Sequence, residues 1–203
     1  MIYLHSLEMV AKLTLPYVFP VGIPSSWAAP DQYSINNNYL QDWLLNTGSL
    51  TERLKSECAQ FHLTLLGQRH EKITLEEFRQ VCSSEHPYKA EDWQVREVLL
   101  WGDGQPWVFA RSIIPQRLCE NNFENLNTMP LGQLIFNDVR FKRMPIEVTH
   151  MLDSKTFLNA LHLSAIDSQS ALWGRRSVFH FENLKMMVSE VFLPQSPAYL
   201  GIN

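Results

Sequence analysis

A hairpin signature near the middle of the chain limits the fold more than any other feature of the sequence. Residues 93–101 and 107–114 form two apolar runs rich in β-branched and aromatic side chains, and Gly102-Asp103-Gly104-Gln105 stands between them. An Asp-Gly pair between two such runs predicts a β-hairpin with a two-residue turn. A second pair of alternating runs, over residues 175–193, predicts another hairpin. Two hairpins without a strand–helix–strand rhythm indicate an antiparallel α+β fold.

Short helices are predicted ahead of the first hairpin. From about Asn38, apolar side chains fall at helical spacing, and Thr47-Gly48 ends that segment. Ser49 is a suitable N-cap for a second short helix over residues 50–58. Two short helices joined by a tight turn predict a flap, so the expected architecture is a single antiparallel sheet with helical flaps.

The other segments give coarser expectations. Residues 61–66 alternate like a strand, and residues 118–127 are expected to be helical. Residues 75–82 fit either a helix or a strand. Residues 144–170 fit either a strand followed by a helix or an insertion.

Length and composition agree with one globular domain. The chain has 203 residues, of which 45% are hydrophobic and 19% are charged, and this excludes a disordered chain and a coiled coil. We expect an extended N-terminal arm over residues 1–37 and one folded domain over residues 38–203. Pro16, Pro20 and Pro24 interrupt the apolar stretch of residues 13–29, so a cleaved signal peptide is not expected.

Charge and cysteine content limit the partners and the compartment. Lys and Arg number 17 against 21 Asp and Glu, giving a net charge of −4, so a general nucleic-acid surface is not expected. No apolar run is long enough for a transmembrane helix, so no membrane insertion is predicted. Three widely spaced cysteines fit reduced thiols in the cytoplasm. Nothing in the sequence indicates an oligomer, so a monomer is expected.

Several familiar chemical sites are missing from the sequence. Glycine-rich nucleotide-binding motifs, G-x-S-x-G and H-E-x-x-H do not occur, and the seven histidines lack paired ligand spacing. The sequence therefore predicts no metal and no cofactor.

The first hairpin brings two arginines together if its turn is centred on Asp103-Gly104. In that register Arg96 lies directly opposite Arg111. Like charges that face each other across a strand pair are destabilising. Both side chains are therefore expected either to point into water or to face a bound anion.

The second hairpin places a carboxylate, Glu190, in an otherwise apolar strand. A turn centred on Asn183-Leu184 would put Ser177 opposite Glu190 and Arg175 diagonal to it. Glu190 then belongs either to a structural ion pair or to a pocket where it acts as acid, base or hydrogen-bond acceptor. Arg176 should point to the other side of the sheet from Arg175 and is expected at the surface. Several arginines, one such glutamate and a flap predict a small anion bound under cover.

Three segments together resemble the chorismate pyruvate-lyase family of bacterial ubiquinone synthesis. They read WQVREVLLWGDGQPWVFARSIIP over residues 93–115, PLGQLIF over residues 130–136, and LWGRRSVFHFENLKMMVSEVFLPQSP over residues 172–197. QDWLLNTGSLTERL, over residues 41–54, is similar to the N-terminal helical flap of that family.

The resemblance implies a sheet whose helical flaps bury the ligand, and a lyase that converts chorismate to 4-hydroxybenzoate and pyruvate without cofactor or metal. By the same resemblance, Arg96 matches the residue that grips the ring carboxylate, and Leu50 and Leu131 match positions that contribute backbone amides beside it. Glu190 matches the carboxylate that meets the ring 4-hydroxyl. Chorismate carries two carboxylates, and two or three arginines that point into one site match that number. Arg111 and Arg175 are therefore candidates for binding the enolpyruvyl carboxylate.

A different class of function is also open. A non-catalytic sensing domain of the same fold would use an arginine-lined pocket to bind an aromatic acid. No helix-turn-helix segment is visible in the sequence, and turnover of chorismate separates the two hypotheses.

Overall fold

The computed structural model describes residues 19–82, 92–122, 131–163 and 171–200. Within these ranges the chain forms one antiparallel sheet of seven strands with helices on both faces, which confirms the predicted α+β class. The first 18 residues of the predicted arm lie outside the described residues.

The sheet order is β1-β2-β3-β7-β6-β4, and β5 pairs with β6 beside β4. The two predicted hairpins are β2–β3 and β6–β7, and they join in the centre through β3 and β7. The strands are β1 Phe61–His70, β2 Trp93–Gly102, β3 Gln105–Pro115, β4 Phe141–Arg143, β5 Glu147–Met151, β6 Leu172–Phe181 and β7 Leu184–Phe192.

The helices are short and begin at side-chain caps where the sequence offers them. Ser49 accepts a hydrogen bond from the amide of Glu52, so the predicted cap is confirmed. The segment over residues 75–82, for which the pattern fits either a helix or a strand, forms a helix over Leu75–Val81, and Thr74 and Glu77 form a capping box at its start. The helices are α1 Asn38–Leu45, α2 Leu50–Ser56, α3 Leu75–Val81, α4 Gln116–Asn122, α5 Leu131–Asn137 and α6 Lys155–Ala160.

The region over residues 144–170 contains a strand followed by a helix, which is one of the two predicted alternatives. Residues 164–170 lie outside the described residues. The helix expected over residues 118–127 begins slightly earlier and is described as far as Asn122. Residues 123–127 of that prediction lie outside the described residues.

The first hairpin has the predicted turn but not the predicted register. Asp103 and Gly104 both have positive φ, 48° and 76°, as a tight hairpin turn requires. Trp107 is an extra residue in β3, because Trp101 pairs with Pro106 whereas Leu100 pairs with Val108. A β-bulge of this kind shifts the register by one residue.

The expectation that Arg96 lies opposite Arg111 is therefore wrong. Arg96 pairs with Ser112, and Arg111 pairs with Glu97. Because side chains alternate between the faces of a strand, Arg96 and Arg111 point to opposite sides of the sheet.

The second hairpin also turns at a different place from the one expected. Phe181 pairs with Leu184, so the turn is centred on Glu182-Asn183, and Glu182 carries the positive φ of 53°. Arg175 consequently lies directly opposite Glu190, not diagonal to it, and Ser177 lies opposite Val188.

Apolar side chains cover both faces of the sheet. On one face, Val98, Leu100 and Ala110 pack against Trp43 and Leu54 of helices α1 and α2. Helices α4 and α5 continue this layer. On the other face, α6 packs through Phe157 and Leu158 and α3 through Val81.

The first described residues of the predicted arm lie on the face that carries α3 and α6, whereas Tyr33 and Ile35 pack against the cluster around α1 and α2. The backbone amides of Val21 and Gly22 donate to the carboxylate of Glu97 at 2.7 and 2.8 Å. Ala28 forms an isolated β-bridge with Val148 of β5. The interpretation of residues 1–37 as a separate arm stays a prediction.

Candidate active site

A cavity with an empty volume of about 570 Å³, part of it open to solvent, lies between the sheet and helices α2 and α5. Its floor is the face of the sheet that carries Arg96, and its roof is formed by the first turns of the two helices. The lining side chains that carry charge or hydroxyl groups are Thr51, Arg96, Ser112, Arg143, Arg175 and Glu190, and the apolar ones include Leu50, Leu63, Val98, Leu131, Ile135 and Phe179.

The two helices of the roof meet above the cavity at their N-terminal ends. Leu50 and Leu131 are the first residues of α2 and α5. A methyl group placed on Gly132 would lie 3.4 Å from Thr51 Oγ1 and 3.6 Å from Ser49 Oγ, so the two first turns are in close contact. First-turn amides have no acceptor within their own helix, and such ends favour negative charge.

Arg96 forms the floor at the β2 side of the cavity. Its side chain is 2% exposed. Burial lowers the pKa of Arg96 to about 10, which still leaves the guanidinium positively charged at neutral pH. A positive charge withdrawn from water in this way favours an anion beside it.

Glu190 and Arg175 form an ion pair across β7 and β6. Arg175 Nε donates to Glu190 Oε2 at 2.7 Å. Arg175 Nη1 donates to the backbone carbonyls of Trp43 and Asn46 at 2.9 and 2.8 Å, at the end of α1. The carboxylate is thereby oriented by a guanidinium that also ties down the flap.

Arg143, the last residue of β4, closes the other side of the cavity. Its Nε donates to Ser177 Oγ at 2.9 Å and its Nη1 to the carbonyl of Thr47 at 3.1 Å. Burial lowers the pKa of Arg143 to about 10, against the opposing effect of the nearby Glu190 charge.

The charges that line the cavity do not balance. Among the described residues they are three guanidiniums and one carboxylate, a net charge of +2. No group of three or more His, Cys, Asp or Glu side chains in the same ranges is placed to hold a metal ion. The described helices include none that is long and apolar enough to cross a membrane.

Comparison with known proteins identifies the family. The sequence model described as chorismate lyase matches residues 24–200. The chain belongs to the chorismate lyase family. Among curated relatives, a probable chorismate pyruvate-lyase from Pseudoalteromonas atlantica is 48% identical, covering 94% of this chain and 97% of that relative. Another of the same name, from Shewanella loihica, is 37% identical, covering 88% of this chain and 92% of that relative.

Among solved structures, PhnF from Mycobacterium smegmatis is similar in fold. It superposes with a TM-score of 0.52 at 13% identity, covering 74% of this chain and 65% of PhnF. At that level of identity the likeness concerns the fold alone.

Five of the six site residues expected from the sequence line the cavity of this chorismate lyase family member: Leu50, Arg96, Leu131, Arg175 and Glu190. Arg96 and Glu190 share one cavity, as the hypothesis of an enclosed anion site requires. Their individual roles in binding and catalysis stay predictions.

Arg111 is the exception. The bulge at Trp107 turns its side chain to the opposite face, where its Nε and Nη1 meet Glu77 and Glu97, each at 2.8 Å. Its charge is neutralised there, so the structure gives no support for a contact between Arg111 and a ligand in the cavity.

Arg176 corrects a further expectation. It points away from the cavity as predicted, but it is only 3% exposed rather than at the surface. It pairs with Glu147 at 2.7 Å and with Glu76 at 2.8 Å, and its guanidinium lies over the Trp27 ring.

Arg143 was missed by the analysis of the sequence. It lies at the edge of the segment whose structure the pattern left open, and no local motif marks it. The pairing of β4 with β6 brings it to Ser177, 34 residues further along the chain. Only the tertiary fold places it beside Glu190.

Proposed function

We propose that this protein is a chorismate pyruvate-lyase, which eliminates pyruvate from chorismate to give 4-hydroxybenzoate. The observation that carries the proposal is the net charge of +2 on the described side chains that line the cavity beneath the flap helices. Chorismate is a cyclohexadiene with two carboxylates, so its charge of −2 complements the lining. Family membership and the names of the relatives support the same substrate.

In this proposal Arg96 binds the ring carboxylate. A guanidinium matches a carboxylate through two parallel hydrogen bonds, and the buried position of Arg96 strengthens that interaction. The first-turn amides of Leu50 and Leu131 roof the same cavity and supply further donors. Helical flaps that meet over the ring exclude water from it.

Glu190 acts at the other end of the ring. The proposed reaction removes the proton from ring C4 and breaks the bond between ring C3 and the ether oxygen. The ring becomes aromatic, and the side chain leaves as enolpyruvate, which takes up a proton to become pyruvate. Glu190, oriented by Arg175, accepts a hydrogen bond from the 4-hydroxyl and is a candidate acceptor for the C4 proton; a carboxylate of the substrate is the other candidate.

Positioning and charge provide most of the catalysis in this scheme. Aromatisation drives the reaction, and no electrons leave the substrate, so the chemistry needs no cofactor. The enzyme has to hold the substrate in a reactive conformation and stabilise the enolate that departs. We place this reaction, by the family resemblance, at the first committed step of ubiquinone synthesis, carried out by a cytoplasmic monomer.

The test is direct. Purified protein is mixed with chorismate, and 4-hydroxybenzoate is followed by its absorbance while pyruvate is measured by a coupled assay. The two products should appear in equal amounts, with no added metal or cofactor and in the presence of a chelator. Binding of 4-hydroxybenzoate without turnover would instead support the sensing domain, and neither binding nor turnover would contradict both.

A further inference from the structure

Arg143 has contacts on two sides of the cavity wall. It ends strand β4, and its Nε holds Ser177 of β6. Its Nη1 holds the carbonyl of Thr47, in the connection between the flap helices α1 and α2. Leu50, which lines the cavity, follows three residues later. One guanidinium therefore links the sheet to the flap.

The remaining nitrogen of this guanidinium is available to a ligand. Arg143 lines the cavity, and within the described residues its Nη2 makes no hydrogen bond. Arg175 has the same two nitrogens engaged, but one of its partners is the carboxylate of Glu190, which neutralises its charge. The two printed partners of Arg143 are an uncharged hydroxyl and a backbone carbonyl. Arg143 is thus better placed than Arg175 to accept a second anionic group.

Arg96 and Arg143 stand at opposite ends of the cavity floor. Arg96 belongs to β2 and Arg143 to β4, with β3, β7 and β6 between them. Four strand spacings separate their backbones by about 19 Å. Both side chains line the cavity, so a ligand lying between them would meet one guanidinium at each end.

We propose, resting on the proposed function, that Arg143 binds the carboxylate of the enolpyruvyl side chain while its Nη1 holds the flap at Thr47. This role takes the place of the one expected for Arg111. It divides the two carboxylates between the ends of the cavity: the ring carboxylate to Arg96, and the side-chain carboxylate to Arg143. The product 4-hydroxybenzoate keeps only the first of them.

The division gives the proposal a selective test. Arg143→Gln and Arg96→Gln are compared by two measurements: kcat/KM for chorismate, and the dissociation constant of 4-hydroxybenzoate by calorimetry. Loss of a charge-assisted hydrogen bond should lower kcat/KM of Arg143→Gln about 10- to 100-fold. Its affinity for 4-hydroxybenzoate should stay within a factor of about three, which is well below the effect of one such bond. Arg96→Gln should weaken both.

Arg140→Gln is the matched control. Arg140 lies three residues away, is half exposed, and pairs with Asp138 outside the cavity lining, so neither measurement should change. If Arg143→Gln melts below the assay temperature, Arg143→Lys replaces it, since the lysine retains the charge. Arg143→Lys should again lower kcat/KM for chorismate without weakening 4-hydroxybenzoate, but by a smaller factor than Arg143→Gln.

Two results would overturn the proposal. Equal weakening of 4-hydroxybenzoate and chorismate by Arg143→Gln would mean that Arg143 does not distinguish the two carboxylates, and unchanged kcat/KM would mean that it binds neither. Failure of the proposed function is recognised separately, because the unaltered protein would then not turn over chorismate at all.

Discussion

Arginine side chains have different surroundings on the two faces of this sheet. Arg111 and Arg176 are buried on the face beneath α3, and each meets two carboxylates. In the cavity, three arginines and one carboxylate, Glu190, are the charged side chains among the described lining residues, and Glu190 pairs with Arg175. Buried charge is expensive unless it is paired, so neutralised arginines suit a scaffold and an excess of positive charge suits an anionic ligand.

Glu190 provides the first prediction at this scale. Glu190→Gln keeps the shape of the side chain and an oxygen that can accept from Arg175, but it removes the negative charge. We expect kcat for chorismate to fall about 10²- to 10⁴-fold, the usual range for loss of a general base. Turnover under saturating substrate, with the melting temperature as a check of folding, measures this effect.

Glu182→Gln is the control for that substitution. Glu182 lies in the turn of the same hairpin with its side chain 65% exposed, so its replacement should leave kcat unchanged. Full activity in Glu190→Gln would show that this carboxylate takes no part in the reaction.

At the scale of single elements, the β-bulge at Trp107 determines which side chains reach the cavity. The ring of Trp107 lies against Gly102, where an added Cβ would overlap it. This packing holds the extra residue in place, and with it the register that separates Arg96 from Arg111.

Gly102→Ala should therefore destabilise the protein. Overpacking of this kind typically lowers the free energy of unfolding by about 1 to 3 kcal/mol. Chemical denaturation monitored by tryptophan fluorescence measures the change. The control is Gly48→Ala, in an exposed connection where the nearest contact of the new methyl is the Asn46 side chain at 3.0 Å, and a much smaller loss is expected. Equal stability of Gly102→Ala and the unaltered protein would contradict this account of the bulge.

The elements themselves could be predicted from the sequence, because turn residues and apolar periodicity are local signals. The Asp103-Gly104 turn and the Ser49 cap are examples. The register was not predictable in the same way, since the bulge depends on the packing of Trp107 and the second turn on the backbone of Glu182. Each difference in register changes the position of one arginine. The bulge in the first hairpin puts Arg111 on the face away from the cavity, and the turn of the second hairpin puts Arg175 directly opposite Glu190.

Arg143 shows the other limit of prediction from sequence. Its place in the site depends on the pairing of β4 with β6, and no sequence motif near Arg143 indicates that pairing. Arg96, Leu131 and Glu190 lie inside recognisable family segments and were found for that reason.

On the scale of the whole molecule, a row of charged groups on the face away from the cavity connects the sheet to α3 and to the N-terminal residues 21 and 22. Glu97 accepts from the amides of Val21 and Gly22 and from Arg111, and Arg111 also binds Glu77 of α3. Burial alone would raise the pKa of Glu77, but the hydrogen bonds and charge of Arg111 outweigh it and hold that pKa below the ordinary value of 4.5.

This arrangement predicts a dependence of stability on pH. A carboxyl whose pKa is lowered by folding stabilises the protein fully above its unfolded value, about 4.5, and loses that effect as the pH falls through the folded pKa. Glu77→Gln should be less stable than the unaltered protein by about 1 to 3 kcal/mol at neutral pH, as for a hydrogen bond to a charged group.

The difference between the two proteins should shrink in acid. Urea denaturation at pH 7 and below pH 4 measures it, and a constant difference at both pH values would show that the lowered pKa of Glu77 does not contribute. Glu76→Gln is a useful comparison, since Glu76 is half exposed and its pair with Arg176 should contribute less.

The separation of the two charge systems has an evolutionary consequence. The ion pairs of Arg111 and Arg176 and the contact of Val21 and Gly22 with Glu97 lie on the face away from the cavity. Substitutions in the pocket that spare Arg143 and Arg175, which hold the flap, therefore leave these ion pairs untouched. Under the proposed function, a descendant that lost Glu190 would keep an arginine-lined pocket and would turn from a catalyst into a receptor by substitutions on one side of the sheet.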